Sequence, residues 1–568
     1  MTLAINQKQP RRICWALALA ILIAACQRFP ATPTPLPPTA EPTATPVPTP
    51  TYEPFVPTAT PLPIVDAPAW GEDTILYLIF VASFYDSNGD GIGDLRGLTE
   101  KLDYLNDGNP NTSDDLGVNA IWLMPIFAAA SYHGYDTTDH FTIRPEYGSR
   151  EDLIHLVEEC HRRGIRVLLD YVMAHVSNQH PFFQDAYGNP SSPYADWFIW
   201  YDEAHTRYKS FANIPIVPSV NGDCPAVREY ALRVAQHWMD LDGDGDLSDG
   251  IDGFRCDYAL GLSHEFWQFV RSGIKALRPD FLLLGEVWSN APEIARFYEA
   301  QFDSTFDFPL YYMLAGHQDA VGRGVLGGTD KPGFIHASLV QRAKLYPWDA
   351  QSVIFLNNHD TNRIMSTVQG DVQRAKLGAT LLFTLPGTPL IYYGEEIGMA
   401  GIKGDGKPYW DEYRREPMDW YAAEEGPGMT TWFRPVNRNN RPYDGISVEE
   451  QQNDPDSLLS HYRRLTRLHE SYSALRHGSY ERIEVVEGPS TVYAYLRQDA
   501  QAHLLVVLNF AREPVQVTLD IGTSTLPAPP WEASDLLGHR APFSVSTDTV
   551  SLELEAQESL VLELHRPH

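Results

Sequence analysis

From residue 75 onward the chain alternates short apolar runs with amphipathic stretches. Ile75-Leu76-Tyr77-Leu78-Ile79-Phe80 is the first run and Gly117-Val118-Asn119-Ala120-Ile121-Trp122-Leu123-Met124-Pro125 the second. Runs this short, apolar at successive positions, read as strands buried on both faces. Between them comes helical spacing, with Leu95, Leu98, Leu102 and Leu105 on one face. Residues 150–163 and 225–240 are also helical by pattern. Further runs follow at Ile165-Arg166-Val167-Leu168-Leu169-Asp170, Ile251-Asp252-Gly253-Phe254-Arg255-Cys256-Asp257, Leu282-Leu283-Leu284-Gly285-Glu286, Thr305-Phe306-Asp307-Phe308, 353–357 and Pro389-Leu390-Ile391-Tyr392-Tyr393. So long an alternation predicts the α/β class and a (β/α)8 TIM barrel. Residues 177–224 lack any long periodic element. A loop of that length inside a barrel predicts an inserted subdomain after strand 3, at about 171–224, walling a cleft. Residues 458–475 have the spacing of a last helix. Beyond about 479 the pattern becomes short strands separated by turns, such as Val492-Tyr493-Ala494-Tyr495-Leu496 and Leu504-Leu505-Val506-Val507-Leu508. They predict a C-terminal antiparallel β-sandwich. The barrel is expected over 70–476 and the sandwich over 477–568.

The N-terminal residues are of another kind. Lys8, Arg11 and Arg12 precede an apolar stretch, 13–25, too short to span a bilayer. Ile23-Ala24-Ala25-Cys26 resembles a bacterial lipobox, with Cys26 as the lipidated residue; an ordinary secretory signal is the other reading, and both imply export. Residues 1–26 are thus a signal with lipobox, and lipid on Cys26 would anchor the protein to a membrane without spanning it. In the linker, 27–69, the stretch from Pro30 to Pro63 holds 13 Pro and 9 Thr in 34 residues. It cannot form a core, and as polyproline II it reaches roughly 100 Å. After Cys26 only Cys160, Cys224 and Cys256 remain, which is no disulfide framework. A net charge of −31 argues against nucleic acid as a partner.

Candidate chemistry lies at the strand ends. C-terminal ends of barrel strands face one mouth, so Asp257, Glu286 and Asp360 (in Phe355-Leu356-Asn357-Asn358-His359-Asp360) gather there with Arg255. Carboxylates so grouped suit glycoside hydrolysis, one attacking, one protonating, the rest gripping the distorted ring. Tyr135, in the loop after strand two, would be a sugar-stacking platform, and His175 sits at the exit of strand three. Asp86, Asn88, Asp90, Ile92 and Asp94 place oxygens at alternate positions around a glycine turn. That is the first part of a Ca²⁺ loop, without the closing Glu of an EF-hand. Asp242, Asp244, Asp246 and Asp249 crowd a later turn; a solvated turn accounts for them, a second Ca²⁺ site being the alternative.

With these residues quoted, the chain from Trp70 onward resembles glycoside hydrolase family 13, the α-amylase family. Asp170-Tyr171-Val172-Met173-Ala174-His175, Gly253-Phe254-Arg255-Cys256-Asp257, Gly285-Glu286-Val287-Trp288 and Asn358-His359-Asp360 are similar to its four motifs, in order. The resemblance implies retaining hydrolysis of α-glucosidic bonds: Asp257 as nucleophile, held ionised by Arg255, Glu286 as general acid/base and Asp360 as stabiliser. It also implies that Tyr135, His175, His359, Asp411 and Arg415 bind sugar, that an α-glucan is the substrate, and that no organic cofactor is needed. Three departures stand out. Ala174 replaces an Asn that ligates Ca²⁺ in the family. Pro218-Ser219-Val220-Asn221 matches neither the amylase nor the α-1,6 pattern. Tyr258-Ala259-Leu260-Gly261 lacks the Lys-His pair that follows the nucleophile in true α-amylases. The expected activity is an endo-α-amylase on starch or maltodextrins. The alternatives are an exo-acting or α-1,6-active α-glucosidase or cyclomaltodextrinase of the same family and, remotely, a glycan-binding lipoprotein.

Overall fold

The computed structural model describes residues 69–567 except 348, 407 and 408. The expected signal, lipobox and nearly all of the linker lie outside the described residues. Eight parallel strands close into a barrel in sequence order: β1 (Leu76–Ile79), β2 (Ala120–Leu123), β3 (Arg166–Tyr171), β4 (Gly253–Cys256), β5 (Leu282–Gly285), β6 (Ser304–Phe306), β7 (Gln351–Phe355) and β8 (Thr388–Tyr392). Closure is made by β1, whose Leu76 pairs with Leu390 of β8 on one side and Ala120 of β2 on the other. Strand residues are buried almost throughout, which is why they read as continuous apolar runs rather than alternating ones. Helices α1 (Arg150–Arg162), α2 (Pro225–Met239), α3 (His264–Leu277), α4 (Val372–Thr384) and α5 (Leu458–Ser471) lie among the connections. A reciprocal Ser149–Asp152 capping box starts α1.

Two expected elements differ. The stretch 95–105 is two short helices, Leu95–Glu100 and Leu102–Leu105. They meet at Lys101, whose ammonium lies 4.4 Å from both the Tyr85 and Trp420 ring centres. Asp307 does not extend strand six. It caps a helix, Phe308–Ala315, by accepting the Leu310 N–H, as expected of Asp before a Pro-containing first turn.

An acid just before β4 fastens the barrel's other end. Asp252 accepts the Val167 N–H at 2.9 Å and guanidinium bonds from Arg166 and Arg278 at 2.8 and 2.9 Å. Burial would raise its carboxyl, but His161, the Val167 N–H and Arg278 outweigh this and hold it below the usual range. Asp252→Ala leaves the largely buried Arg278 without that acceptor, and should cost about 3–5 kcal/mol, read from the urea midpoint. A depressed carboxyl contributes fully above its unfolded pKa of about 3.9. Its contribution is lost as pH falls below that value, so wild type and variant should converge in acid.

The insertion between β3 and α2 starts and ends on the barrel: His175 bridges Ser219, and Val220 N–H bonds the Ala174 carbonyl at 3.0 Å. Its body is short helices and isolated bridges (Phe198 with Val220, Trp200 with Tyr208, Ser210 with Pro218), packed by aromatic contacts such as Phe182 on Tyr194 at 4.1 Å. The C-terminal part is antiparallel. Ser479–Glu487 pairs with Val492–Gln498 along its first residues and with Val515–Asp520 along its last. The sheet therefore folds over an apolar interior that includes Leu496, Leu505, Leu519, Leu552 and Leu562.

Candidate active site

Alternation along β4 sets the centre of the site. Side chains along a strand point to opposite faces in turn, so Arg255 and Asp257 share the face opposite Phe254 and Cys256. Glu286 follows β5 directly and donates its N–H to the Cys256 carbonyl at 3.0 Å. Arg255 is 1% exposed and binds three acids: Nη1 lies 2.7 Å from Asp170 Oδ1 and 2.7 Å from Asp257 Oδ1, and Nη2 lies 2.6 Å from Glu286 Oε1. Asp170 also accepts from Tyr135 Oη at 2.9 Å and Trp122 Nε1 at 3.2 Å. Glu286 Oε2 accepts the Tyr258 N–H at 2.8 Å. Asp257 Oδ2 is buried with no hydrogen-bond partner among the described residues; His175 Nε2 stands 3.8 Å from it.

One guanidinium shared by three buried carboxylates does not hold Asp257 in the ordinary carboxylate range. Burial, with Asp170 and Asp360 adding, outweighs Arg255 and pushes Asp257 up to about 7. This corrects the expectation that the neighbouring cation dominates. Glu286 is also pushed up to about 7, by burial and then by Asp257 and Asp360. An ionised Asp257 raises Glu286 further. Asp360 is the contrast. Burial raises it, but His359 and Arg415 outweigh burial and take it well below the usual range. Arg415 Nη2 bonds Asp360 Oδ1 at 3.0 Å and His359 Nε2 lies 3.0 Å from Oδ2. Burial lowers His359 to about 4, so near neutrality it meets Asp360 as an N–H donor, and Arg415 supplies the charge. The Tyr135 hydroxyl gives its single proton to Asp170, so the one N–H on His359 Nε2 is shared between Tyr135 Oη at 2.6 Å and Asp360 Oδ2 at 3.0 Å.

The sequence-derived residues thus converge, and two of them have protein partners that the sequence did not show. Tyr135 has one ring face stacked on His359 at 5.4 Å and 6°, so that face is not free for sugar; its hydroxyl serves Asp170. Asp411 pairs with Arg414 at 3.1 Å. Arg415 reaches Asp360 and, through Nη1, Tyr132 Oη at 3.3 Å. Asp170 and Tyr258 were missing from the expected site. Asp170 carries the same strand-end signal as Asp257. Tyr258 acts through its backbone N–H and sits in the left-handed region (φ 42°, ψ 56°), a conformation costly for a non-glycine residue and invisible in its side-chain type. Its ring and that of His175 flank Phe211, at 4.9 and 5.0 Å. Leu260, in the place of the family's Lys, is 36% exposed.

The loop carrying Asp86, Asn88, Asp90, Ile92 and Asp94 offers hard oxygen donors, the chemistry Ca²⁺ takes. Asp86 accepts the N–H groups of Asn88, Gly89 and Gly91 at 3.1, 2.6 and 2.7 Å, and Asp94 those of Ser87 and Gly97 at 2.9 and 2.7 Å. These side chains hold the loop's turn: Oδ1 of Asp86 and of Asp94 each accept two bonds, while Oδ2 of each accepts one and keeps a lone pair for an ion. Among the described residues, Asp240, Asp242 and Asp244 in the later turn bring carboxylate oxygens close together, with Asp242 and Asp244 exposed to solvent. Cys160, Cys224 and Cys256 are all free thiols.

Comparison with known proteins agrees with this arrangement. The family model described as "Alpha amylase, catalytic domain" matches residues 78–216 and 200–478, and "Maltogenic Amylase, C-terminal domain" matches 483–561. Alpha-amylase 3 of Dictyoglomus thermophilum is 35% identical over 462 residues, covering 78% of this chain and 86% of that protein. A cyclomaltodextrinase of a Bacillus species is 33% identical over 490 residues, covering 80% and 75%. The crystal structure of an α-amylase from H. orenii superposes with a TM-score of 0.72 at 34% identity, over 87% of this chain and 99% of that one. An eight-stranded barrel whose mouth gathers Asp257, Glu286 and Asp360 around Arg255, followed by an antiparallel domain, therefore belongs to the α-amylase family, glycoside hydrolase family 13.

Proposed function

We propose that the chain is a retaining hydrolase of α-1,4-glucosidic bonds in maltodextrins, with short and cyclic chains among its substrates. The observation that carries the chemistry is Arg255 holding Asp257 and Glu286 on its two arms. Two carboxylates on one guanidinium suit a retaining pair, one attacking the sugar and one protonating the leaving oxygen. In the first step the unpartnered Asp257 Oδ2 attacks the anomeric carbon while Glu286 passes its proton to the departing oxygen. In the second, Glu286 takes a proton from water, whose oxygen displaces Asp257 and regenerates its carboxylate. These roles require Asp257 ionised and Glu286 protonated. Asp360, kept ionised by Arg415, together with His175 and His359, grips the sugar hydroxyls and binds hardest as the ring flattens.

Substrate range rests on the aglycone side. Tyr258, Phe211 and exposed Leu260 make that wall apolar where a true α-amylase has Lys and His. A relative named cyclomaltodextrinase covers as much of the chain as one named α-amylase. The experiment is a product profile from soluble starch, pullulan and cyclodextrin. Opened cyclodextrin, or panose from pullulan, supports this range. A maltooligosaccharide ladder from starch, with the other two untouched, would make the protein an endo-α-amylase instead.

The Asp86–Asp94 loop is proposed to hold a structural Ca²⁺ through Asp86, Asn88, Asp90, the Ile92 carbonyl and Asp94. Chelation should lower the melting temperature by several degrees through lost native-state binding; an unchanged melting curve in metal-stripped protein would remove the site. Export and anchoring through lipid on Cys26 are proposed from the lipobox. Cys26→Ser should move the protein from the membrane to the soluble fraction, and persistent membrane association would overturn the anchor.

A further inference from the structure

Beyond β8, the chain folds a second group of acids into its interior, away from the strand ends. Asp419 is 3% exposed, and its Oδ1 has no hydrogen-bond partner among the described residues. It borders a small cavity of about 10 Å³, lined also by Glu416, Glu424, Met429 and Asn440 and by Arg434 and Arg438. That is room for one water-sized particle. Thr430, next to Met429 and 1% exposed, also has an unpartnered Oγ1.

The nearby cations are engaged elsewhere. Arg438 binds the Glu424 carboxylate through Nε and Nη2, and Arg434 donates to the Glu424 carbonyl at 2.6 Å. Glu416 is satisfied by Asn439 and Asn440, each through backbone and side-chain N–H groups. Asp444 and Glu450 add negative charge from the next segment, and burial with Glu424, Asp444 and Glu450 pushes Asp419 up to about 8. Three carboxylates and two guanidiniums thus line the cavity, with Asp444 and Glu450 adding negative charge from outside it. A buried carboxylate with no partner is costly, and nature resolves it with a proton or a cation. A proton on Asp419 would leave the cavity beside Oδ1 unused.

We propose that this cavity is a binding site for a hard divalent cation of the Ca²⁺ class, held by Asp419 and Glu424 and completed by neutral oxygens. The donors are all oxygen, as such ions require. The site is separate from the Asp86–Asp94 loop, but the two lean on each other: Asp86 N–H bonds the Gly428 carbonyl at 2.9 Å, and Thr431 N–H bonds the Gly91 carbonyl at 2.7 Å. It also begins one residue after Arg415, so an ion here braces the segment that carries the Asp360 partner.

The test compares the full-length protein with Asp419→Asn, both stripped by chelator and re-equilibrated with Ca²⁺. Elemental analysis should find one ion fewer per chain in the variant. The melting order should also invert. In chelator the variant should melt at or above wild type, because a buried unpaired charge is gone, and in saturating Ca²⁺ wild type should melt several degrees higher. Equal ion counts with a melting difference independent of Ca²⁺ would overturn the proposal. If Asp419→Asn does not fold, wild-type crystals grown in Mn²⁺ give the answer: an anomalous peak beside Asp419 Oδ1 supports the site, and none there at saturating metal overturns it.

Discussion

Asp257→Asn is expected to reduce turnover on maltodextrins by on the order of 10⁴-fold or more, about 5.5 kcal/mol or more of lost transition-state stabilisation. Its Oδ2 is the buried carboxylate oxygen beside Arg255 that no hydrogen bond occupies, and an amide neither attacks a sugar nor forms the ester intermediate. The fold should not suffer with it. Asp170, Asp257, Glu286 and Asp360 crowd one mouth, and burial with like charge already raises Asp257. Removing one charge relieves that crowding, so the melting temperature should stay or rise, as is common where a site is strained for function. Loss of activity together with a fall of many degrees would mean that Asp257 is a structural acid.

Glu286→Gln is expected to lower turnover on unactivated glucans by about 10²–10⁴-fold. A substrate whose leaving group departs without a proton should retain its first step, so the variant should accumulate the glycosyl-enzyme. The pH profile carries a sharper sign. Both carboxyls are pushed up to about 7, and the working form has Asp257 ionised and Glu286 protonated. Activity should therefore fall in acid as Asp257 takes a proton and in alkali as Glu286 loses one, giving a bell. In Glu286→Gln, assayed on the activated substrate, the alkaline limb should vanish and the acid limb remain. A persistent alkaline limb would place the acid elsewhere.

The barrel was legible because its strands are apolar at successive positions and each is followed by helical spacing. What escaped the pattern was local. Lys101 sits on the apolar-faced stretch yet ends a helix, its backbone leaving the helical region at φ −104°, ψ 5° while its ammonium lies over Tyr85 and Trp420. Asp307 looks like a strand residue in a run with Phe306 and Phe308 but acts as a cap. At the site, identity and strand-end position were enough for Asp257, Glu286 and Asp360. They were not enough for partners. Asp411 and Arg415 have the spacing of a pair, but three residues on a short 3-10 turn put Arg414 beside Asp411. The electrostatic balance was the least legible feature, since it depends on how many buried acids share one guanidinium, and adjacency in sequence shows only one of them.

The most direct measurement is the anomeric configuration of the first product, followed by ¹H NMR from the start of maltooligosaccharide hydrolysis. With Asp257 as nucleophile, the new reducing end appears first as the α-anomer and equilibrates to β afterwards by mutarotation. A β-anomer appearing first would mean a single displacement by water, which contradicts the covalent role of Asp257 and with it the account of the site.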